Sequence, residues 1–188
     1  TARRRSCFPA QAIGKHDRLR AVEHIESKRP GVAPSDIRLT IRSRSGDRAV
    51  PVAPDGRLEF PVDAVLKAEN PDVLTNQPKG SLTLTVTFEF KFADPQRVAW
   101  DELGAALEQA RAAVAERAAG AQARVAGIEY RFAAGEDARV IIAGAGERLL
   151  MAAGDGRVIV MIDETVAKER PTLLASRKPS VILPFISK

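Results

Sequence analysis

One stretch of this chain occurs twice. Residues 46–63 read Gly-Asp-Arg-Ala-Val-Pro-Val-Ala-Pro-Asp-Gly-Arg-Leu-Glu-Phe-Pro-Val-Asp. Residues 146–163 read Gly-Glu-Arg-Leu-Leu-Met-Ala-Ala-Gly-Asp-Gly-Arg-Val-Ile-Val-Met-Ile-Asp. The spacing is constant, since 146 − 46, 155 − 55 and 163 − 63 all give 100. A pattern returning at a fixed distance marks a structural unit used more than once. A length of 188 residues accommodates two small units of this kind.

The local patterns between the copies are those of strands. Residues 36–43 alternate, with Ile37, Leu39 and Ile41 on one side and Arg38, Thr40 and Arg42 on the other. This predicts a half-buried strand with a cationic outer face. Asp55-Gly56 and Asp155-Gly156 are hairpin signals, because a positive φ costs little for Gly and is tolerated by Asp. Arg57–Val62 then reads as the return strand. Residues 81–92 alternate over their whole length, which places Leu82, Leu84, Val86, Phe88, Phe90 and Phe92 on one buried face. Residues 18–27 and 124–132 are aligned as a matching pair of strands. Residues 62–69 suit a helical turn, and the Asn70–Gly80 and Pro171–Pro179 stretches read as loops. The one long helical pattern covers residues 98–119, where Trp100, Leu103, Leu107, Ala110 and Val114 recur at three- and four-residue steps; Gly120 suits its C-cap.

The expected architecture is therefore mainly β: two tandem antiparallel β-sandwich units related by an internal repeat and joined by one long amphipathic helix. The boundaries are a basic N-terminal tail (1–15), a first unit (16–95), the connecting helix (96–121) and a second unit (122–188). Aromatics make up only 5% of the chain, so the cores must be built from branched aliphatics and alanine.

Residues 139–163 also invite a nucleotide-binding reading. A strand runs into Gly144-Ala145-Gly146, and a second strand ends at Asp163, where an acidic ribose ligand would stand. Leu149 at the third glycine position would block close helix–strand packing. The segment 147–157 is too short for a parallel crossover, which needs a dozen or more residues. Pro51 and Pro54 occupy the corresponding place in the first copy, where a helix would be broken. The expectation is a β-hairpin without a cofactor.

Other chemistry fails on inventory. Cys7 is the lone cysteine and the two histidines are His16 and His24, so neither an intrachain disulfide nor a recognised metal-ligand spacing is present. Ser81, Ser176 and Ser180 have no nucleophile context. Asp63 and Asp163 each follow a strand and suit capping better than acid–base work. No catalytic, cofactor or metal residues are assigned.

The Asp-Gly-Arg-Leu-x-Phe-Pro run at 55–61, followed by Lys79-Gly80-Ser81 and a long alternating strand, resembles the transthyretin-like sandwich and the carboxypeptidase regulatory-like modules of exported bacterial proteins. The resemblance covers residues 18–92 directly and 124–187 through the repeat. It departs from the family in having Gly80-Ser81-Leu82 where a Gly-x-Tyr is usual. Such modules are non-catalytic adhesion, binding or scaffold domains, which implies a periplasmic or otherwise extracytoplasmic location. The chain begins at Thr1, which fits removal of an upstream segment, and no apolar run is long enough to span a bilayer.

A net charge of +5 and a pI near 9.7 fit an anionic partner, and arginines crowd the first fifty residues. The candidate ligand-binding residues are Arg38, Arg42 and Arg44 on the cationic face with Asn70, Asn76 and Lys79 of the 70–80 loop. The partner would be an unknown protein or an anionic polymer. A second reading is nucleic-acid binding through Arg3, Arg4 and Arg5 and the arginine stripe, with the steep salt dependence of phosphate contacts. A third is an enzyme site assembled between the units.

Overall fold

The computed structural model describes residues 16–61, 64–117 and 123–187. The basic tail, Cys7, Asp63 and Gly120 lie outside the described residues. The chain is mainly β, with antiparallel sheets and one long helix. Among the described residues it forms two compact units, Val22–Thr87 and His16–Ala21 with Phe88–Ser187.

The first unit contains β1 (Leu19–Ser27), β2 (Leu39–Ser43), β3 (Gly46–Val50), β4 (Arg57–Leu58), α1 (Ala64–Glu69), β5 (Asp72–Thr75) and β6 (Leu82–Phe90). The division between units falls within β1 and within β6. Two sheets form, ordered β4-β1-β6 and β3-β2-β5. Ile25 from β1 and Leu58 from β4 join Leu39, Ile41 and Val50 from the other sheet in one buried cluster, with Leu66 of α1. Facing sheets that share an aliphatic layer make a sandwich.

The second unit contains β7 (Arg97–Val98), α2 (Trp100–Arg117), β8 (Arg124–Arg131), β9 (Arg139–Ala143), β10 (Glu147–Met151), β11 (Arg157–Met161), α3 (Glu164–Glu169), β12 (Thr172–Ala175) and β13 (Val181–Ser187). Its sheets are ordered β11-β8-β13 and β10-β9-β12-β7. The connectivity is that of the first unit with β7 and α2 added. Leu103, Ala106, Leu107, Ala110, Ala113 and Val114 of α2 share a buried cluster with Ile128, Tyr130, Val140, Val160 and Leu173. The helix read from the sequence as a connector is therefore part of the second unit's core.

Hydrogen bonds repeat with the connectivity. The Ile25 N–H donates to the Gly56 carbonyl and the Phe132 N–H to that of Gly156, both at 2.8 Å. Asp55 and Asp155 each accept from the amide two residues on, at 3.1 Å. In the sandwich sheet Ile41 pairs with Val73, and Ile142 pairs with Leu173. Thus β9 runs 101 positions after β2, whereas β5 and β12 are 100 apart. One residue fewer in the turn before β10 restores the spacing. Residue Ile25 corresponds to Phe132, which moves the expected alignment of the first strands by one position.

Several expectations change. The Asp55-Gly56 turn is flanked by local antiparallel pairing, with Val52 opposite Leu58 and the Ala53 N–H donating to the Arg57 carbonyl at 2.9 Å, but the strands on either side pair mainly elsewhere, β3 with β2 and β4 with β1. It is a corner at which the chain passes between sheets, and β4 keeps only two residues of the expected return strand. β5 and β12 occupy places read as loops. Each is four residues long and bounded by proline, too short for alternation to register, and each is made a strand by pairing with a distant one. Leu84 is 50% exposed, so the expected apolar face of β6 is open at that point, and Glu89 on the opposite face is 3% exposed; among the described residues β6 ends its sheet. One expectation is unchanged: residues 144–146 turn β9 back into antiparallel β10, the hairpin read from the sequence in place of a parallel crossover.

The corner glycines predict a local cost. Gly156 has φ +78°, and an added Cβ would lie 2.5 Å from the Phe132 carbonyl oxygen and 3.0 Å from that of Ala133. Gly154, two residues away, has open space around it. Gly156→Ala should destabilise the protein by about 1–3 kcal/mol, and Gly154→Ala by less than about 0.5 kcal/mol. Urea midpoints of the two variants check this; equal midpoints would mean that the corner is not held as described.

Candidate functional surfaces

The residues singled out from the sequence fall in the first unit, where the structure gives most of them internal partners. Arg42 lies opposite Asp47 on β3 and Asp72 on β5, and its Nε is 3.8 Å from Asp47 Oδ1. Arg44 donates its backbone N–H to the Glu69 carboxylate, with its guanidinium Nε 3.9 Å from the same oxygen. The expected cationic face is thus a mixed face in which carboxylates stand beside the arginines.

Arg38 and Asn76 are joined through the backbone. The Arg38 N–H donates to Asn76 Oδ1 at 2.9 Å, Asn76 Nδ2 donates to the Asp36 carbonyl at 2.9 Å, and the Asn76 N–H donates to the Arg38 carbonyl. Asn76 therefore fastens β5 to the entry of β2. The second unit repeats the clamp with a hydroxyl: the Arg139 N–H donates to Ser176 Oγ at 3.1 Å. Asn70 closes α1 in the left-handed region, with φ 47°, a conformation that Asn tolerates better than most residues; Arg170 takes the same conformation after α3. Lys79 stands exposed beside Gly80. The structure brings Arg38 together with Asn76, and does not gather the six residues into one site.

In the second unit, Asp163 caps α3 by accepting from the Val166 N–H at 2.8 Å, in line with the capping reading. A cleft of about 680 Å³ lies beside it, lined by Arg111, Val114, Arg124, Met161 and Glu164 among others. Among the described residues no group of three or more His, Cys, Asp or Glu side chains is placed to hold a metal ion, and no helix is long and apolar enough to cross a membrane.

The sequence reading missed two features of this unit. The first is the outer face of β10-β9-β12-β7. Val140, Ile142, Leu173 and Val98 face the core, so the alternate residues face outward. Leu149 pairs with Ile141, Ile141 with Leu174, and Leu174 with Arg97, in one row across four strands. Leu149 and Met151 are each 53% exposed, and Ile141 and Leu174 are half-buried. The matching row of the first unit is Ala49, Thr40 and Leu74. The available signal was Arg148-Leu149-Leu150-Met151, which is apolar on both sides of a strand that needs only one buried face.

The second feature is a buried carboxylate. Glu129 on β8 is 6% exposed and accepts from both arginines that lie directly opposite one another, Arg131 and Arg157. Arg131 Nε is 2.7 Å from Oε1, and Arg157 contributes bonds at 3.1 and 2.9 Å, one to each oxygen. Burial by itself would raise the Glu129 carboxyl, but the hydrogen bonds from Arg157 and Arg131, together with their charges, outweigh it and hold it below its usual range. Nearby in the core, the Tyr130 hydroxyl is buried without a hydrogen-bond partner among the described residues, and burial pushes its pKa upward.

No family model, curated protein or solved structure matches this chain.

Glu129→Gln should lower stability by about 1–3 kcal/mol, because it leaves Arg131 and Arg157 opposed without the intervening charge. The pH dependence has a definite sign. A folded-state pKa below the unfolded value of about 4.3 makes the carboxylate's contribution complete above that value and removes it as pH falls through the lower folded pKa. Urea midpoints of wild type and variant should therefore differ at pH 7 and converge in acid. A constant difference down to pH 2 would contradict the arrangement. Removing an unpartnered buried hydroxyl is different: Tyr130→Phe should be neutral or stabilising by about 1 kcal/mol, and a loss of more than that would mean the hydroxyl is satisfied.

Proposed function

We propose that this chain is a non-enzymatic binding or scaffold protein of the cell envelope, built from two transthyretin-like sandwiches, and that its partner is a polypeptide. The observation that carries the reading is the row Leu149–Ile141–Leu174 with Met151 beside it. Fully burying an aliphatic side chain of this size contributes about 1.5–3 kcal/mol, so a face that leaves several half open gains from being covered by another apolar surface. The first unit has the same connectivity and fills the equivalent row with Ala49, Thr40 and Leu74, so the scaffold does not require large aliphatic side chains at the positions of Leu149 and Ile141.

A polyanion is the less favoured partner. Arg42, Arg44, Arg131, Arg139, Arg148 and Arg157 each have a carboxylate within 4 Å, and a phosphate would have to compete with those partners. The envelope location follows from the transthyretin-like reading.

Site-specific photocrosslinking tests the binding role. A benzophenone amino acid placed at Met151 in cells that make the protein should give a discrete polypeptide adduct. The adduct should disappear when Leu149→Lys is added, and a probe at Arg42 should give none. Absence of an adduct at Met151, or an adduct indifferent to Leu149→Lys, rejects the apolar face as the binding surface. Recovery of the protein in the cytoplasmic fraction rejects the envelope assignment.

A further inference from the structure

We propose that the outer edge of β5 accepts an extended segment of a partner polypeptide as an added strand, in the position that β7 fills on β12 of the second unit. The two edges correspond. β5 follows β2 in the order β3-β2-β5, and β12 follows β9 in the order β10-β9-β12-β7. Among the described residues the first unit has no strand beyond β5.

The second unit shows what the added strand does. Leu173 lies opposite Val98 and Leu174 opposite Arg97. Val98 and Leu173 are both fully buried, and the Ala175 N–H donates to the Gln96 carbonyl at 2.8 Å. In the first unit the counterparts are uncovered: Val73 is half-buried and Thr75 is exposed. The backbone is oriented alike in both. The amides of Asn76 and Ser176 point toward Arg38 and Arg139 on the neighbouring strand, and antiparallel strands alternate the direction of successive amides. The Thr75 amide is therefore aimed at the open edge, as the Ala175 amide is aimed at β7.

β5 is short, starts at the charged Asp72 and follows Pro71, but its Val73–Thr75 stretch carries none of the devices found within three other edge strands. β13 carries Pro184 and a register shift between Phe185 and Ile186, β10 carries Glu147 and Arg148, and β3 carries Asp47 and Arg48. Proline, bulges and charges are the usual defences against edge pairing. β5 presents Val73-Leu74-Thr75, β-favouring and uncharged after Asp72. The register of β7 defines the occupant: an extended segment with a β-branched aliphatic residue facing Val73 and a cationic residue opposite Leu74. Strand addition of this kind draws affinity from the main chain and selectivity from alternate side chains.

The test uses the full chain labelled with nitrogen-15. The titrant is a synthetic peptide of sequence Asp-Pro-Gln-Arg-Val-Ala-Trp, which is that of residues 94–100. In the protein, β12 is already occupied, so the peptide should shift the amides of Val73, Leu74 and Thr75 in a saturable manner. A peptide N-methylated at valine should bind at least tenfold more weakly, since it lacks the main-chain donor. Val73→Lys in the protein should have the same effect, with its undisturbed spectrum elsewhere showing that it folds. Absent shifts at these amides, or equal shifts with a scrambled peptide, overturn the proposal. So does prior protection of the Val73 and Thr75 amides from hydrogen exchange: concentration-independent protection would assign the edge to the chain's own residues 1–15, and concentration-dependent protection to a second copy. The edge stands as a site whether or not the Met151 crosslink is found.

Discussion

Each sandwich depends on a corner where the chain leaves one sheet and enters the other. At Ala53–Arg57 and Ala153–Arg157 the turn is closed by the same pair of backbone bonds, Gly N–H to Ala carbonyl and Ala N–H to Arg carbonyl. The glycine carbonyl then accepts from Ile25 in β1 or from Phe132, the residue after β8. That contact is so close that a side chain at the glycine would meet the partner carbonyl. Because the corner fixes where the second sheet begins, it brings Leu58 and Ile25 into one layer with Ile41 and Val50, and Val158 and Phe132 into one layer with Ile142. Moving the turn by one residue would invert the side-chain alternation beyond it.

Upon this shared scaffold the two units differ at their surfaces. The first has carboxylates beside arginines on the outer face of its second sheet, and an edge that ends at β5. The second has an aliphatic row on the corresponding face, and an edge closed by β7. Neither difference is needed for the sandwich, since each unit folds its core without the other's version. Differences that the core does not require are where recognition can be placed.

The basic composition leads toward polyanions only while the arginines are counted apart from their neighbours. Glu129 between Arg131 and Arg157, Asp47 opposite Arg42 and Glu69 beside Arg44 turn isolated charges into local pairs. The exposed pairs contribute little to stability, but they reduce the positive potential offered to a distant ligand. The Glu129 arrangement is stronger, because a buried carboxylate with several charge-assisted bonds holds both arginines in place.

Much of the architecture was legible in local pattern. The two Asp-Gly turns, the alternation of Ile37–Ile41 and the helical spacing of Leu103, Leu107, Ala110 and Val114 each depend on neighbours a few residues apart, so the mainly β class and the single long helix could be read directly. The rejection of a nucleotide site likewise followed from chain length and proline. Tertiary structure alone decided what rests on contacts between distant segments. β5 and β12 become strands by pairing with β2 and β9, and α2 finds its place against β8. Asn76 serves as a backbone clamp rather than a free ligand group, and the row Leu149–Ile141–Leu174 forms only when three separate strands are brought side by side. Local periodicity records which face of an element is apolar, but it carries no information about which element will cover that face, or whether any will.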